Sequence, residues 1–198
     1  MKTLVLGLGN PILTDDGVGV WVAEAVRKAL PPDSPVEICE ISVGGLRLME
    51  RMLGYERVIL VDAFQPGHGE AGSFRRLTYQ ELQAGSPTQH TACAHDTSVV
   101  TALEAAHRMG LPVPRDIVIF AIAVEDVIDF GEKPTPAVAA AIPRVAAAVL
   151  AELQRTPPGL AERPGLTAVD SGKAAPLQRQ GTTASAEVSD GGCRPLVL

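Results

Sequence analysis

Three residues that lie far apart in the chain, Asp16, Asp62 and His95, carry side chains that together could bind a metal ion. Asp16 closes the acidic pair of the glycine-rich segment LVLGLGNPILTDDGVG, Asp62 ends the apolar run RVILVD, and His95 precedes a segment with helical periodicity. Two carboxylates and one imidazole suit zinc, nickel or iron and leave coordination positions open for a substrate. The sequence therefore predicts a metal site formed by these three side chains.

Each of these residues also has a purely structural explanation. Acids at the start of a helix cap it and complement its dipole, and we expect Asp15 to do so while Asp16 points into a crevice. A carboxylate at the end of a buried strand must be hydrogen-bonded, paired with a cation or bound to metal, and for Asp62 the simplest alternative is the capping of a turn. His95 could lie on the surface or beside a helix cap.

A cysteine–histidine nucleophile is an alternative to the metal site, because Cys93 lies two residues before His95. Residues at this spacing point apart on a helix, but an extended segment would place them on one face. The chain contains neither a GxSxG segment nor an HExxH segment, which removes the usual support for a serine hydrolase or a zinc peptidase.

The elements that would position these residues alternate between apolar strands and helices with a 3.6-residue period. This alternation predicts an α/β fold, a three-layer sandwich in which helices flank a twisted, mostly parallel sheet. Its ligand crevice should lie beyond the carboxyl ends of the strands, where Asp16 and Asp62 fall. Gly7 and Gly9 should allow tight packing between the first strand and the first helix. Predicted strands cover residues 3–8, 36–41, 57–62, 73–77 and 116–123, of which 73–77 is an edge strand. Predicted helices cover residues 17–30, 45–52, 95–109 and 135–153. The last helix begins with a threonine cap followed by a proline.

Composition divides the 198 residues into one domain, residues 1–156, and a low-complexity tail, residues 157–198, which we expect to be disordered. A docking tail for a partner is the alternative. The net charge of -6 argues against nucleic acid or an anionic membrane as a partner. No segment approaches the length of a membrane span, and three cysteines without a CxxC pair disfavour a disulfide framework. These observations predict a soluble, cytoplasmic protein.

Four segments together resemble the NiFe-hydrogenase maturation proteases, endopeptidases that trim the carboxyl terminus of a hydrogenase large subunit. They read LVLGLGNPILTDDGVG, VILVDAFQPG, HDTSVVTALEAA and AVEDVIDFGEKPTPAVAAAIP, and the match runs in order from residue 2 to residue 153. The resemblance implies an α/β sandwich with metal-contacting residues at Asp16, Asp62 and His95. Family members often carry Glu at the first of these positions, so the acid here is one methylene shorter. Glu40 stands where the family often has Asp and is a secondary candidate.

The resemblance also implies how the metal is used. Such a protease recognises nickel already inserted into the large-subunit precursor, so Asp16, Asp62 and His95 would complete the coordination of an ion that the substrate supplies, with zinc or cadmium as substitutes in vitro. Hydrolysis of the amide then has two routes. Nickel polarises the carbonyl or lowers the pKa of a bound water, or Asp16 or Asp62 acts as the catalytic general base. The residues alone leave both routes open.

We further expect an acidic loop, Glu125, Asp126 and Asp129, to contact a basic residue near the cleavage point.

Three other functions compete with the protease. A nickel chaperone without enzymatic activity would share the metal ligands. The segment GLGNP also resembles peptidyl-tRNA hydrolases, but residues 13–20 here read LTDDGVGV without the histidine of those enzymes, and the acidic charge disfavours RNA. A relative of the spore-type proteases would not depend on nickel.

Overall fold

The computed structural model describes residues 1–43, 45–64, 69–85 and 96–155. Within these ranges the chain forms five strands and five helices. The strands are β1 (Thr3–Leu8), β2 (Val36–Ile41), β3 (Arg57–Phe64), β4 (Phe74–Thr78) and β5 (Asp116–Ala123), and the helices are α1 (Val18–Ala29), α2 (Gly45–Met52), α3 (Tyr79–Gly85), α4 (Asp96–Arg108) and α5 (Pro136–Gln154).

One five-stranded sheet organises the fold, with the strand order β2-β1-β3-β5-β4. Strands β2, β1, β3 and β5 are parallel, and β4 pairs antiparallel with β5 at the edge. The apolar runs of β1, β3 and β5 are buried over almost their whole length, as expected for strands covered on both faces. The predicted mostly parallel sheet is therefore confirmed, together with its edge strand near residues 73–77.

Helices cover both faces of the sheet because successive strand side chains point to opposite sides. Leu60 of β3 packs in one apolar cluster with Leu48 of α2 and with side chains of α4. The next residue, Val61, packs in a second cluster with Val22 of α1 and with side chains of α5. The predicted three-layer sandwich is confirmed, and the alternation places the side chain of Asp62 on the face covered by α2 and α4.

Glycines let the first strand, the following loop and α1 approach more closely than any other residue would. A Cβ on Gly7 would lie 2.3 Å from the carbonyl oxygen of Gly19 in α1. Gly9 has a φ of +128°, and a Cβ there would lie 1.8 Å from the main-chain oxygen of Asp16. The predicted tight packing is confirmed, and the main chain of Asp16 rests directly on the end of β1.

Several boundaries differ from the sequence prediction. Strand β3 continues two residues past Asp62 to Phe64, so Asp62 lies inside the strand. Helix α3 follows the edge strand directly and was not predicted, because seven residues are too short to display a helical period. Thr135 precedes α5 as predicted, but its side chain makes no capping hydrogen bond to the helix.

Helix α5 has the length and composition of a membrane-spanning segment, with 19 residues and a mean hydropathy of 1.5. The expectation that no segment approaches that length is therefore wrong. Its buried side chains, among them Val138, Val145 and Val149, belong to the apolar cluster that also holds α1 and one sheet face. Here α5 is a core helix of the sandwich.

One prediction concerned disulfide bonds and another concerned the carboxyl-terminal tail. Cys39 is disulfide-bonded, and the other two cysteines, Cys93 and Cys193, lie outside the described residues. The low cysteine count argued against a framework of bridges, and it does not exclude this single bond. The tail predicted at residues 157–198 also lies outside the described residues, so its disorder stays a prediction.

A buried arginine joins the end of α5 to the amino ends of the central strands. Arg57 is 1% exposed and donates to a carboxylate oxygen of Glu152 at 2.7 Å and to the main-chain oxygen of Arg155 at 2.7 Å. It also lies 3.0 Å from the Asp116 carboxylate. Arg76 of the edge strand donates twice to Glu152, at 2.8 and 2.9 Å. This network ties three strands and a helix together on the side opposite the predicted crevice.

We predict that Glu152→Gln lowers the free energy of unfolding at pH 7 by about 3 kcal/mol, because it removes a charge partner from a buried arginine. The hydrogen bond from Arg76 holds the pKa of Glu152 below its ordinary value of 4.5. A carboxylate with a lowered pKa stabilises the fold above its unfolded-state pKa and loses that effect as the pH falls through the folded-state value. Urea unfolding at pH 7 and pH 4 measures both effects, so the variant should show a smaller loss of stability at pH 4.

The matched control is Glu104→Gln, which changes an exposed carboxylate that bonds only the Gln83 side chain among the described residues. It should change stability by less than about 0.5 kcal/mol. Equal effects of the two substitutions would contradict the structural role of Glu152.

Candidate active site

The loop between β1 and α1 is held by the carboxylate of Asp15, which is completely buried. Its oxygens accept hydrogen bonds from the main-chain N–H groups of Glu125 and Asp126, both at 3.1 Å, and of Thr135 at 2.7 Å. The Thr135 hydroxyl adds a fourth bond at 3.0 Å. The prediction that Asp15 caps α1 is wrong, because Gly17 is the cap residue and no side chain caps that helix. Asp15 instead joins the loop to the segment after β5.

Main-chain pairing joins the same two loops. The N–H of Thr14 donates to the carbonyl oxygen of Asp129 at 2.9 Å, and the N–H of Gly131 donates to Ile12 at 3.1 Å. Leu13 and Phe130 form an antiparallel bridge between these two bonds. The loop before α1 and the loop after β5 therefore behave as one double loop, residues 10–17 with residues 125–131.

Asp16 lies on this double loop and is half-buried. One carboxylate oxygen accepts a hydrogen bond from the main-chain N–H of Asn10 at 2.7 Å. The second oxygen takes no hydrogen bond from the part of the chain that the structure describes. The main chain of Asp16 is fixed against Gly9, and its side chain has one oxygen that no described residue hydrogen-bonds.

Asp62 is 4% exposed and lies on the face of β3 that α2 and α4 cover. One of its oxygens accepts a hydrogen bond from the N–H of Ala63 at 2.8 Å. Gly7 of β1 is paired with Val61 of β3, and adjacent strands lie about 4.8 Å apart. The Asp16 loop and the Asp62 strand thus meet at the same rim of the sheet, as the sequence indicated, while their shared role as metal ligands stays a prediction.

A groove runs beside Asp62 over the carboxyl half of β3, β5 and β4. It is small and partly open to solvent. Asp62, Ala121 and Arg75 lie in one row across the three strands, and the small alanine in the middle leaves the space. Sequence analysis missed this groove because it depends on the strand order, which residue patterns do not encode. Its lining consists of Phe64, Ser73, Phe74, Arg75, Leu77, Ala121 and Ala123.

His95, the third predicted ligand, lies outside the described residues, as does Cys93 of the alternative nucleophile. Helix α4 begins at the next residue, Asp96. Within the described ranges, no three His, Cys, Asp or Glu side chains are grouped closely enough to hold a metal ion. The structure therefore brings the two acids to one rim and leaves the complete three-residue set untested.

Glu40, the secondary candidate, faces away from Asp62. Its carboxylate is paired with the guanidinium of Arg27 on α1, which also pairs with Glu24. Alternation along β2 puts Cys39 on the face of α2 and α4 and Glu40 on the face of α1. Glu40 therefore fastens α1 to the sheet and does not join the candidate site.

The acidic loop proposed from the sequence is partly used by its own turn. The Asp126 carboxylate accepts the N–H groups of Ile128 at 2.9 Å and Asp129 at 3.0 Å. These two bonds hold the pKa of Asp126 below its ordinary value, and the bond from Asp129 has the larger effect. Asp126 shapes the loop, and no described contact assigns a partner to the side-chain carboxylate of Glu125.

The adjacent acids Asp15 and Asp16 provide a matched pair for a stability measurement. Asp15→Asn turns an amide N–H₂ toward buried N–H donors, so we predict a loss of about 3 kcal/mol in the free energy of unfolding. Asp16→Asn affects one hydrogen bond of a half-buried side chain and should cost less than about 1 kcal/mol. Urea unfolding of both variants tests this, and the reverse order would contradict the assignment of Asp15 as the loop clamp.

Residues 20–152 match the family model described as hydrogenase maturation protease. The chain is 30% identical over 142 residues to the hydrogenase expression/formation protein HupD of Rhizobium leguminosarum bv. viciae, covering 72% of this chain and 69% of HupD. It is 32% identical over 84 residues to the hydrogenase 2 maturation protease of Escherichia coli K12, covering 42% of this chain and about half, 51%, of that relative.

Solved structures agree with the family match. The hydrogenase maturating endopeptidase HybD from Escherichia coli aligns with a TM-score of 0.66 at 28% identity, covering 77% of this chain and 92% of HybD. The NiFe hydrogenase maturation protease HybD from Thermococcus kodakarensis aligns with a TM-score of 0.61 at 20% identity, covering 78% of this chain and all of that one (100%), which supports the fold alone. The chain belongs to the hydrogenase maturation protease family.

Proposed function

We propose that this protein is an endopeptidase that removes a carboxyl-terminal extension from the precursor of a NiFe-hydrogenase large subunit after nickel insertion. The observation that carries the proposal is the meeting of two acids, Asp16 and Asp62, at one rim of the sheet in a member of the hydrogenase maturation protease family. We place the reaction in the cytoplasm, with the large-subunit precursor as the partner.

The donor chemistry of the rim fits nickel that arrives bound to the substrate. Asp16 offers a carboxylate oxygen that no described residue hydrogen-bonds, and Asp62 offers a nearly buried carboxylate on rigid strand backbone. Carboxylate oxygen with a histidine nitrogen suits a borderline divalent ion such as Ni²⁺, and His95 precedes α4 as the third proposed ligand. Zinc or cadmium should occupy the same ligands in vitro.

The protein's own residues contribute position and proton transfer. When present, nickel supplies Lewis-acid polarisation of the scissile carbonyl or of a water. Asp16 is held by the Asn10 N–H and by the packing of its main chain on Gly9, so its remaining oxygen has a fixed direction. We assign the role of general base to this carboxylate, because it is the more accessible of the two acids. Asp62, buried and held by Ala63, orients the ion.

We place the peptide that is cut along the groove beside Asp62. The groove lies over β5 and β4, next to a strand edge that could pair with an extended segment, and it is mainly apolar with Arg75 at its border. An extended peptide paired with β4 would run along this five-residue strand.

We predict that the wild type shortens the nickel-loaded precursor and leaves the nickel-free precursor intact. Asp16→Ala, Asp62→Ala and His95→Ala should each lower cleavage by about a hundredfold or more, as expected when a ligand or base is removed. Mass spectrometry of the large subunit measures the cut. Asp33→Ala and His107→Ala, which remove an exposed acid and an exposed histidine elsewhere, are the controls and should cleave normally. Cleavage that ignores nickel, or that survives all three substitutions, would contradict the proposal.

An isosteric variant tests the open oxygen of Asp16. Asp16→Asn can still accept the Asn10 N–H through its amide oxygen, which places an N–H₂ group at the open position. That group neither binds nickel nor accepts a proton, so turnover should fall as far as in Asp16→Ala. Turnover near the wild-type value would contradict both proposed roles. A nickel chaperone remains the competing function, and it predicts nickel transfer by the wild type with no shortening of the subunit under single-turnover conditions.

A further inference from the structure

The rim near Asp16 exposes large apolar side chains that have no packing role. Eight large hydrophobic residues are exposed among those the structure describes. Three of them belong to the double loop: Ile12 is 55% exposed, Ile128 is 79% exposed and Phe130 is 82% exposed. We call these three residues the rim patch. Val43 and Leu46, after the carboxyl end of β2, are also exposed at this end of the sheet.

The exposure of the rim patch does not come from a loose chain. Phe130 is bridged to Leu13, the carbonyl of Ile12 accepts the N–H of Gly131, and the N–H of Ile128 donates to the Asp126 side chain. The Asp15 carboxylate holds both halves of the double loop together. A backbone fixed in this way loses little further conformational freedom when its side chains are covered, which favours binding.

The charges around the rim patch are mainly negative. Residues 125–133 contain four acids, Glu125, Asp126, Asp129 and Glu132, against one cation, Lys133. Residues 9–17 add Asp16, since Asp15 is completely buried, and carry no cation. A partner that covers this surface should therefore present apolar side chains flanked by lysine or arginine, since opposite potentials favour docking.

We infer that the rim patch is the docking surface for the large-subunit precursor, and that it binds an apolar and basic segment of that protein apart from the bond that is cut. This inference rests on the proposed function. Ile12 lies four residues before Asp16 on the same loop, so a protein seated on the rim patch is brought close to Asp16. Docking by exposed aromatic and aliphatic side chains adds affinity that the few metal contacts do not supply.

The test compares Phe130→Ser and Ile128→Ser with matched controls at the other end of the sheet. Met109→Ser and Leu111→Ser remove apolar side chains that are 62% and 36% exposed just beyond the carboxyl end of α4. Surface plasmon resonance measures the Kd for nickel-loaded precursor, and cleavage assays give KM and kcat. The rim variants should raise Kd and KM by about tenfold to thirtyfold each and leave kcat within about twofold, and the controls should match the wild type.

Outcomes that overturn the inference differ from those that overturn the proposed function. If the wild type cleaves the precursor and Phe130→Ser binds and cleaves equally well, the docking surface is wrong while the protease stands. If the wild type does not cleave the precursor, the proposed function fails. Equal Kd values for the wild type and Phe130→Ser would then also overturn the inference that the rim patch is a docking surface.

Two further measurements test the identity of the partner. A wild-type dimer in sedimentation that Phe130→Ser converts to monomer would assign the rim patch to a second copy of this chain and overturn the inference. Glu125→Lys should weaken precursor binding at low salt and approach the wild type at high salt, because exposed charges are screened. Tighter binding by this variant would contradict a basic partner segment.

Phe130→Leu keeps the apolar character of the side chain. It should therefore retain most of the affinity for the precursor that Phe130→Ser loses.

Discussion

A single buried carboxylate, that of Asp15, sets the arrangement on which the candidate active site depends. It accepts four hydrogen bonds from a segment more than a hundred residues away, and the N–H groups of two neighbouring residues share one of its oxygens. A buried charge is tolerated only when its oxygens are satisfied, so the two loops must stay together for the fold to persist. The position of Asp16, its neighbour in the chain, is therefore a consequence of how Asp15 is satisfied.

The same carboxylate shows the limit of local sequence rules. An acid before a helix and a threonine before a proline are both typical capping residues, and here Asp15 and Thr135 bond to each other instead. Both arrangements satisfy the side-chain oxygens of Asp15 and Thr135, so the choice depends on long-range packing that one sequence does not display. The strands and long helices, in contrast, were predictable because burial on one or two faces imposes a period on the residues themselves.

The candidate site was predictable only in part for a similar reason. The rule that parallel strands present ligands at their carboxyl ends placed Asp16 and Asp62 at one rim without knowledge of the strand order. Glu40 was misjudged because position in the chain does not reveal which face a strand residue occupies, and its partner Arg27 lies on another element. The groove beside Asp62 needed the neighbours of β5, which only the folded chain supplies.

The arginine network at the opposite end of the sheet has a consequence for geometry. Arg57 begins β3 and binds the main-chain oxygen of Arg155, whereas Asp62 lies five residues further along the same strand. At about 3.3 Å per residue, residue 155 is anchored roughly 17 Å from the level of Asp62 along the strand axis. A protein immobilised through a label at residue 155 would thus present the rim that carries Asp16 and Asp62 outward, where a large partner protein could reach it.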